Sequence, residues 1–122
     1  MAMLNACTFK SREAAKLHYL SLIDSLAADK RYVDPALLDL HRQKLLEANQ
    51  GGGEYLEAEA IEVGMPLDVL VSSVLHQHQR RQKWTQQIEL ARIKTKSLVR
   101  KAASASEMHM LVNRFKQQLT MI

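Results

Sequence analysis

The sequence predicts an all-α fold: a bundle of about five helices that includes one long basic helix and a C-terminal amphipathic helix packed back on it. Aromatic residues are only 5% of the 122 residues, whereas strands favour aromatic and β-branched side chains. The two prolines and four glycines all fall at plausible helix boundaries. Apolar residues recur at the spacing of three and four that is typical of helices. A chain of this length is expected to form a single all-helical domain over residues 1–122.

The first two helices have clear start signals. The first is predicted over Ser11–Ala28, because a serine hydroxyl can cap a helix start. The second begins after Asp34, a good N-cap, with Pro35 at the first helical position, where a missing N–H costs nothing. A hinge at residues 49–53 ends this helix, and Gly51 is the candidate C′ residue.

A short third helix is predicted over Glu54–Val63 and ends at Gly64. Pro66 opens the next helix, and no helix breaker follows until about residue 102. We therefore expect one helix over about residues 66–102, which is longer than most globular helices. Such a helix needs a partner along its length, or it must protrude.

The last helix is predicted over about residues 105–120. Ser104 and Glu107 have the spacing of a capping box, in which each side chain satisfies a free backbone N–H near the helix start. An amphipathic stripe follows, formed by Met108, Leu111, Val112, Phe115 and Leu119.

Charge is unevenly distributed along the chain. Residues 1–61 carry seven Lys/Arg and nine Asp/Glu, which gives −2, and residues 62–122 carry ten and four, which gives +6. Residues 80–101 contain eight Lys/Arg and a single acidic residue, Glu89, which gives +7. This asymmetry indicates an acidic partner, either nucleic acid or an acidic protein surface.

The long helix has an apolar seam between two cationic rows. One interpretation is that the seam packs on the C-terminal helix and the cations lie in solvent. The other is that the cations bind phosphates or carboxylates of a partner. An anionic membrane surface is a third use, although only Trp84 suits an interfacial anchor. The seam comprises Trp84, Ile88, Ala91, Thr95, Leu98 and Ala102; the first row is Arg92, Lys96 and Arg100, and the second is Lys83, Lys94 and Lys101. The candidate partner- or nucleic-acid-binding residues are Arg80, Arg81, Lys83, Trp84, Arg92, Lys94, Lys96, Arg100 and Lys101.

The histidines do not predict a metal site. His76 and His78 are two apart, so on a helix their rings point about 200° away from each other. Chelation on a helix needs a spacing of three or four. His41 is expected to be a packed, hydrogen-bonded core histidine. Between Leu75 and Trp84 the apolar pattern lapses, which predicts that the long helix leaves its N-terminal bundle there.

Nothing in the sequence predicts an enzyme or a cofactor. It contains no Gly-rich phosphate loop and no H-E-x-x-H motif, and no pair of carboxylates is placed for acid–base chemistry. Cys7, the lone cysteine, is expected to be a free thiol. The N-terminus lacks the features of a signal peptide, and no apolar run approaches the roughly 18 residues needed to span a bilayer.

One functional hypothesis is a small nucleic-acid-binding regulator. Residues 56–75 look like a helix–turn–helix segment, with Ala60 and Gly64 four apart and Leu70 anchoring the second helix. The match departs from the pattern at Ser73, which replaces an apolar residue. The second helix of this segment carries no Arg or Lys before Arg80, although a helix that reads DNA usually needs them.

The other hypothesis comes from a set of features between residues 45 and 115. These features are Leu56, Glu57-Ala58, Gly64, Leu70, Val74-Leu75, Ile88-Glu89, Arg92, Val99, Ala102-Ala103, Ser104 and Glu107. In this order they resemble helical segments of tail-associated and neck proteins of tailed bacteriophages. The resemblance implies a non-enzymatic virion or assembly component that binds other virion proteins and copies of itself, in the virion or the host cytoplasm.

Overall fold

The computed structural model describes residues 11–122, so Cys7 lies outside the described residues. Within them the chain forms five α-helices and no strand, which confirms the all-α prediction. The first helix continues three residues beyond its predicted end, and the other boundaries agree closely. The helices are α1 (Arg12–Arg31), α2 (Pro35–Asn49), α3 (Glu54–Val63), α4 (Leu67–Lys101) and α5 (Ala105–Met121).

The starts of α1, α2 and α5 are capped by the side chains that the sequence predicted. Ser11 and Asp34 accept backbone N–H bonds at 3.2 and 2.8 Å. Ser104 accepts the N–H of Glu107 at 3.2 Å, and the Glu107 carboxylate accepts the N–H of Ala103 at 2.9 Å. The carboxylate of Glu107 therefore accepts the N–H of Ala103, the residue before the N-cap. In a regular capping box it would accept the N–H of the N-cap residue itself.

Helices α2 and α3 both end at a glycine in the left-handed region. Gly51 has φ 84° and Gly64 has φ 69°, a conformation that side chains with a Cβ adopt only under strain. After α2, the N–H of Gly52 donates to the carbonyl of Glu47 at 2.8 Å, and α3 closes with the equivalent bond. These two turns are Schellman motifs, which satisfy carbonyls that the helix leaves free.

The end of α4 is capped from a distant part of the chain. The Arg12 guanidinium donates to the carbonyl of Ala102 at 2.7 and 2.9 Å and to that of Arg100 at 3.1 Å. Carbonyls in the last turn of a helix have no partner within the helix. Arg12 therefore ties the start of α1 to the end of α4, a role that the sequence pattern did not indicate.

The described chain divides into two compact units. The α2–α3 unit is residues 33–84, and the α1–α5 unit is residues 11–32 together with residues 85–122. Helix α4 belongs to both units, and the division falls directly after Trp84, at the end of the polar stretch. The single-domain prediction stays a prediction.

The α1–α5 unit is a three-helix arrangement of α1, the C-terminal half of α4, and α5. Helix α5 packs extensively on α1, and it also borders a common cleft with α4, in line with the predicted packing against the long helix. Helix α1 buries one residue per turn, and the Tyr19 hydroxyl lies 3.3 Å from Nδ1 of His109 on α5. The buried apolar residues are Ala15, Tyr19, Ile23, Ala27, Ile88, Ala91, Val99, Ala102, Ala105, Met108, Val112, Phe115 and Leu119.

The α2–α3 unit has a smaller core formed by Ala48, Leu56, Ala60, Leu70 and Val74. A buried carboxylate lies beside this core.

Glu47 is only 9% exposed, and its side chain accepts the backbone N–H of Leu56 at 2.9 Å. The amide of Gln43 also donates to it, at 3.3 Å. Gly53 leaves room for this carboxylate, because a Cβ at position 53 would lie 2.6 Å from Cγ and Cδ of Glu47.

Within residues 11–122, every helix is either too short or too polar to span a bilayer.

Candidate partner-binding surface of helix α4

The buried face of the C-terminal half of α4 nearly coincides with the predicted seam. Ile88, Ala91, Thr95 and Ala102 are at most 6% exposed, and Trp84 is half-buried. The seam differs at one position: Leu98 is 41% exposed, and its neighbour Val99 is fully buried. On a helix these two residues are about 100° apart, so the buried face is rotated slightly from the one we predicted.

The first cationic row is largely engaged inside the α1–α5 unit. Arg92 Nη1 lies 2.8 Å from Oδ1 of Asp24, and Lys96 Nζ lies 2.8 Å from Oδ2 of the same carboxylate. Arg92 also donates to Glu89, and Glu89 in turn pairs with Arg31. The result is a chain of alternating charges that links α1 to α4.

This network shifts the ionisation of its members. Hydrogen bonds from Lys96 and then Arg92 lower the pKa of Asp24, although partial burial opposes them. A hydrogen bond from Arg92 lowers the pKa of Glu89 in the same way. The two carboxylates in turn raise the pKa of Arg92. Arg92 and Lys96 therefore already have acidic partners within the chain, while Arg100 of the same row is exposed.

The second row remains open to solvent. Lys94 and Lys101 are exposed, and within residues 11–122 neither forms an ion pair. Leu90 and Ile93, within one turn of Lys94 on α4, are 59% and 53% exposed. Leu90 and Lys94 also line an open cleft of about 420 Å³ together with Gln87, Ala91, Gln118, Met121 and Ile122. This part of α4 thus presents apolar area with unneutralised cations around it.

The polar stretch at residues 75–84 carries a separate cleft within the α2–α3 unit. Arg80, Arg81, Trp84, Gln77 and Val33 line this open cleft of about 450 Å³. Lys83 is exposed and does not line it. The indole of Trp84 therefore provides an apolar wall beside two guanidinium groups, a combination that suits a planar or acidic group from a partner.

A smaller cavity of about 90 Å³ contains two of the histidines. His41 and His78 line it with Lys44, Gln77 and Arg81, among others. Within the described chain, Nδ1 of His41 is buried and has no hydrogen-bond partner, so the expected hydrogen bond is not made at this atom.

Desolvation, followed by the charges of Arg81 and Lys44, lowers the pKa of His41. Among residues 11–122 no group of three or more His, Cys, Asp or Glu is placed to hold a metal ion.

The segment at residues 56–75 does form a helix, a short turn and a second helix. Gly64 provides the left-handed turn, and Ala60 and Leu70 are buried on its two sides. Its outward surface is apolar and acidic: Ile61 is 80% exposed. Glu57 and Ile61 line an open cleft of about 520 Å³ with Ala60, Gly64, Met65 and Leu67.

Sequence reasoning missed Asp24, which is the acidic partner of two predicted site residues. Asp24 is separated from Arg92 by 68 positions and from Lys96 by 72. The sequence did indicate it in one respect: Asp24 lies next to the apolar stripe of α1. An acidic residue in such a position can pair with a cation on a neighbouring helix. No protein-family model, curated protein or solved structure that was compared with this chain matches it.

Proposed function

We propose that this protein is a non-enzymatic structural or assembly component of a tailed-phage virion, associated with the tail or neck. It acts through protein–protein contacts in which the basic surface of α4 faces an acidic partner. The main supporting observation is that Lys94, Arg100 and Lys101 are exposed and form no ion pair within residues 11–122. Leu90 and Ile93, which lie before them on the same helix, are more than half exposed.

A mixed surface of this kind suits protein binding. Covering exposed Leu and Ile side chains removes apolar area from water, which favours association. Cations around that area orient an acidic partner and accelerate its encounter. The resemblance of residues 45–115 to tail and neck segments supports a phage particle as the setting.

The proposal is tested by following the protein in particles purified from an infected culture. We expect several copies per particle, and we expect the variant K94Q/R100Q/K101Q to be incorporated poorly. The variant K30Q/R114Q/K116Q is a matched control, because it removes the same number and types of charge from the same unit. Absence from particles and from their assembly intermediates, or equal incorporation of both variants, would overturn the proposal.

The alternative is a small nucleic-acid-binding regulator that uses residues 56–75. The observation in its favour is that α3 and α4 are joined by a short turn with a left-handed glycine, Gly64. The exposed side chains Glu57, Glu62 and Asp68 oppose it, because acidic groups repel phosphates. If duplex DNA shifts the protein in a gel at low salt, with an affinity that falls steeply as salt rises, the regulator replaces the virion component as the better account.

A further inference from the structure

The two units carry charge of opposite sign. The described part of the α1–α5 unit has eleven Lys/Arg and five Asp/Glu, so its net charge is +6. The α2–α3 unit has five Lys/Arg and eight Asp/Glu, so its net charge is −3. A chain with this division is electrostatically complementary to another copy of itself.

Each unit also exposes apolar side chains next to its excess charge. The basic patch consists of Leu90, Ile93, Lys94 and Lys101 on α4. Its two lysines are seven positions apart, which places them on one side of the helix two turns from each other. Part of this patch forms the wall of the open cleft that ends at Met121 and Ile122.

The acidic patch consists of Glu57, Ile61 and Glu62 on α3 and Met65 in the turn after it. Ile61 and Met65 are 80% and 36% exposed, and part of this patch lines an open cleft. Both glutamates are exposed, and neither forms an ion pair within residues 11–122. The acidic patch is therefore comparable to the basic patch in composition and opposite to it in sign.

We propose that the acidic partner of the basic patch is the acidic patch of a second copy of this chain. The inference rests on the proposed function in taking α4 as a protein-binding surface, and it names the occupant of that surface. Two different patches that pair between copies make a heterologous contact, which closes into a ring or extends as a filament. Apolar contact of Leu90 and Ile93 with Ile61 of the other copy supplies the affinity. The opposite charges ensure that the basic patch of one copy pairs with the acidic patch of another.

Charge reversal with mixing tests this pairing. The variant E57K/E62K has two basic patches, and the variant K94E/K101E has two acidic patches. We expect the wild-type chain to have a mass well above the monomer by light scattering at about 50 mM salt, where screening is weak. Each variant alone should be monomeric, with self-affinity at least about tenfold weaker, and an equimolar mixture should regain the large species.

The mixture is the decisive sample, because a variant that merely misfolds cannot be rescued by mixing. Circular dichroism checks that each variant remains helical, and K30E/K116E is the control that changes two lysines outside the patch. A large species that persists in both variants, or a mixture that stays monomeric, overturns the inference. A monomeric wild-type chain that is still incorporated into particles overturns it too, while leaving the proposed function standing.

Discussion

Replacing Arg92 and Lys96 by glutamine tests whether the first cationic row belongs to the fold. The variant R92Q/K96Q removes two ion pairs to Asp24 and one to Glu89. It leaves the apolar core of the α1–α5 unit unchanged. We therefore expect a folded protein with a lower free energy of unfolding.

The magnitude follows from the exposure of the four side chains. Lys96 and Arg92 are 16% and 24% exposed, and Glu89 and Asp24 are 34% and 47% exposed. Ion pairs that remain this accessible to water each contribute about 0.2–1 kcal/mol. The three pairs together give about 1–2 kcal/mol, which lowers the melting temperature of a chain of this size by roughly 4–10 °C.

The matched control is R114Q/K116Q, which removes one exposed lysine and one exposed arginine of the same unit that form no ion pair within the described residues and lie outside the proposed binding surface. Exposed substitutions of this kind change stability by less than about 0.5 kcal/mol. Urea denaturation followed by circular dichroism measures both variants. Equal losses in the two variants, or no loss in R92Q/K96Q, would refute the assignment of Arg92 and Lys96 to the fold.

The pH dependence provides a second readout of the same network. The ordinary pKa values of Asp24 and Glu89 are 3.8 and 4.5, and folding lowers both. A lowered carboxyl pKa stabilises the folded state fully above the ordinary value, and this stabilisation is lost as pH falls through the lowered value. The stability difference between wild type and R92Q/K96Q should be constant at neutral pH and shrink below about pH 4.

Three further predictions concern side chains outside this network. Burial lowers the pKa of His41 from its ordinary value of 6.5, so wild-type stability should fall as pH drops below 6.5. The variant H41L should remove this pH dependence, and an unchanged pH dependence of its circular dichroism melts would contradict the prediction. The substitution G53A should lower the free energy of unfolding by about 1–3 kcal/mol, because its Cβ displaces the buried Glu47 carboxylate. This loss should disappear in an E47A background, and additive losses of unfolding free energy in urea denaturation would exclude the clash. The variant R12M should cost about 1–2 kcal/mol by freeing the carbonyls at the end of α4, and an unchanged melting temperature would show that this cap is dispensable.

The helix boundaries could be predicted because each depends on residues close in sequence. Ser11, Asp34 and Ser104 accept bonds from N–H groups two or three residues away, and Gly51 and Gly64 end helices through their own backbone. Such local chemistry is visible in the sequence without knowledge of the tertiary fold.

The packing partners could not be predicted in the same way. Periodicity shows that α5 has an apolar face, but it does not show that α1 also packs against that helix. The candidate site depends on this packing. Arg92 and Lys94 have the same sequence signal, yet Arg92 meets Asp24 of α1 and Lys94 faces solvent. The assignment of Leu98 to the seam failed for the same reason, since a shift of one residue decides which side chain the neighbouring helices bury.

Zero-length carbodiimide crosslinking reports directly on the pairing of the two patches. This reagent joins a lysine to a carboxylate only when the two are in contact. In a mixture of ¹⁵N-labelled and unlabelled chains, we expect peptides that join Lys94 or Lys101 of one copy to Glu57 or Glu62 of another, with one partner labelled and the other not. Crosslinks confined to single chains, or crosslinks between copies that avoid these four residues, would contradict the account.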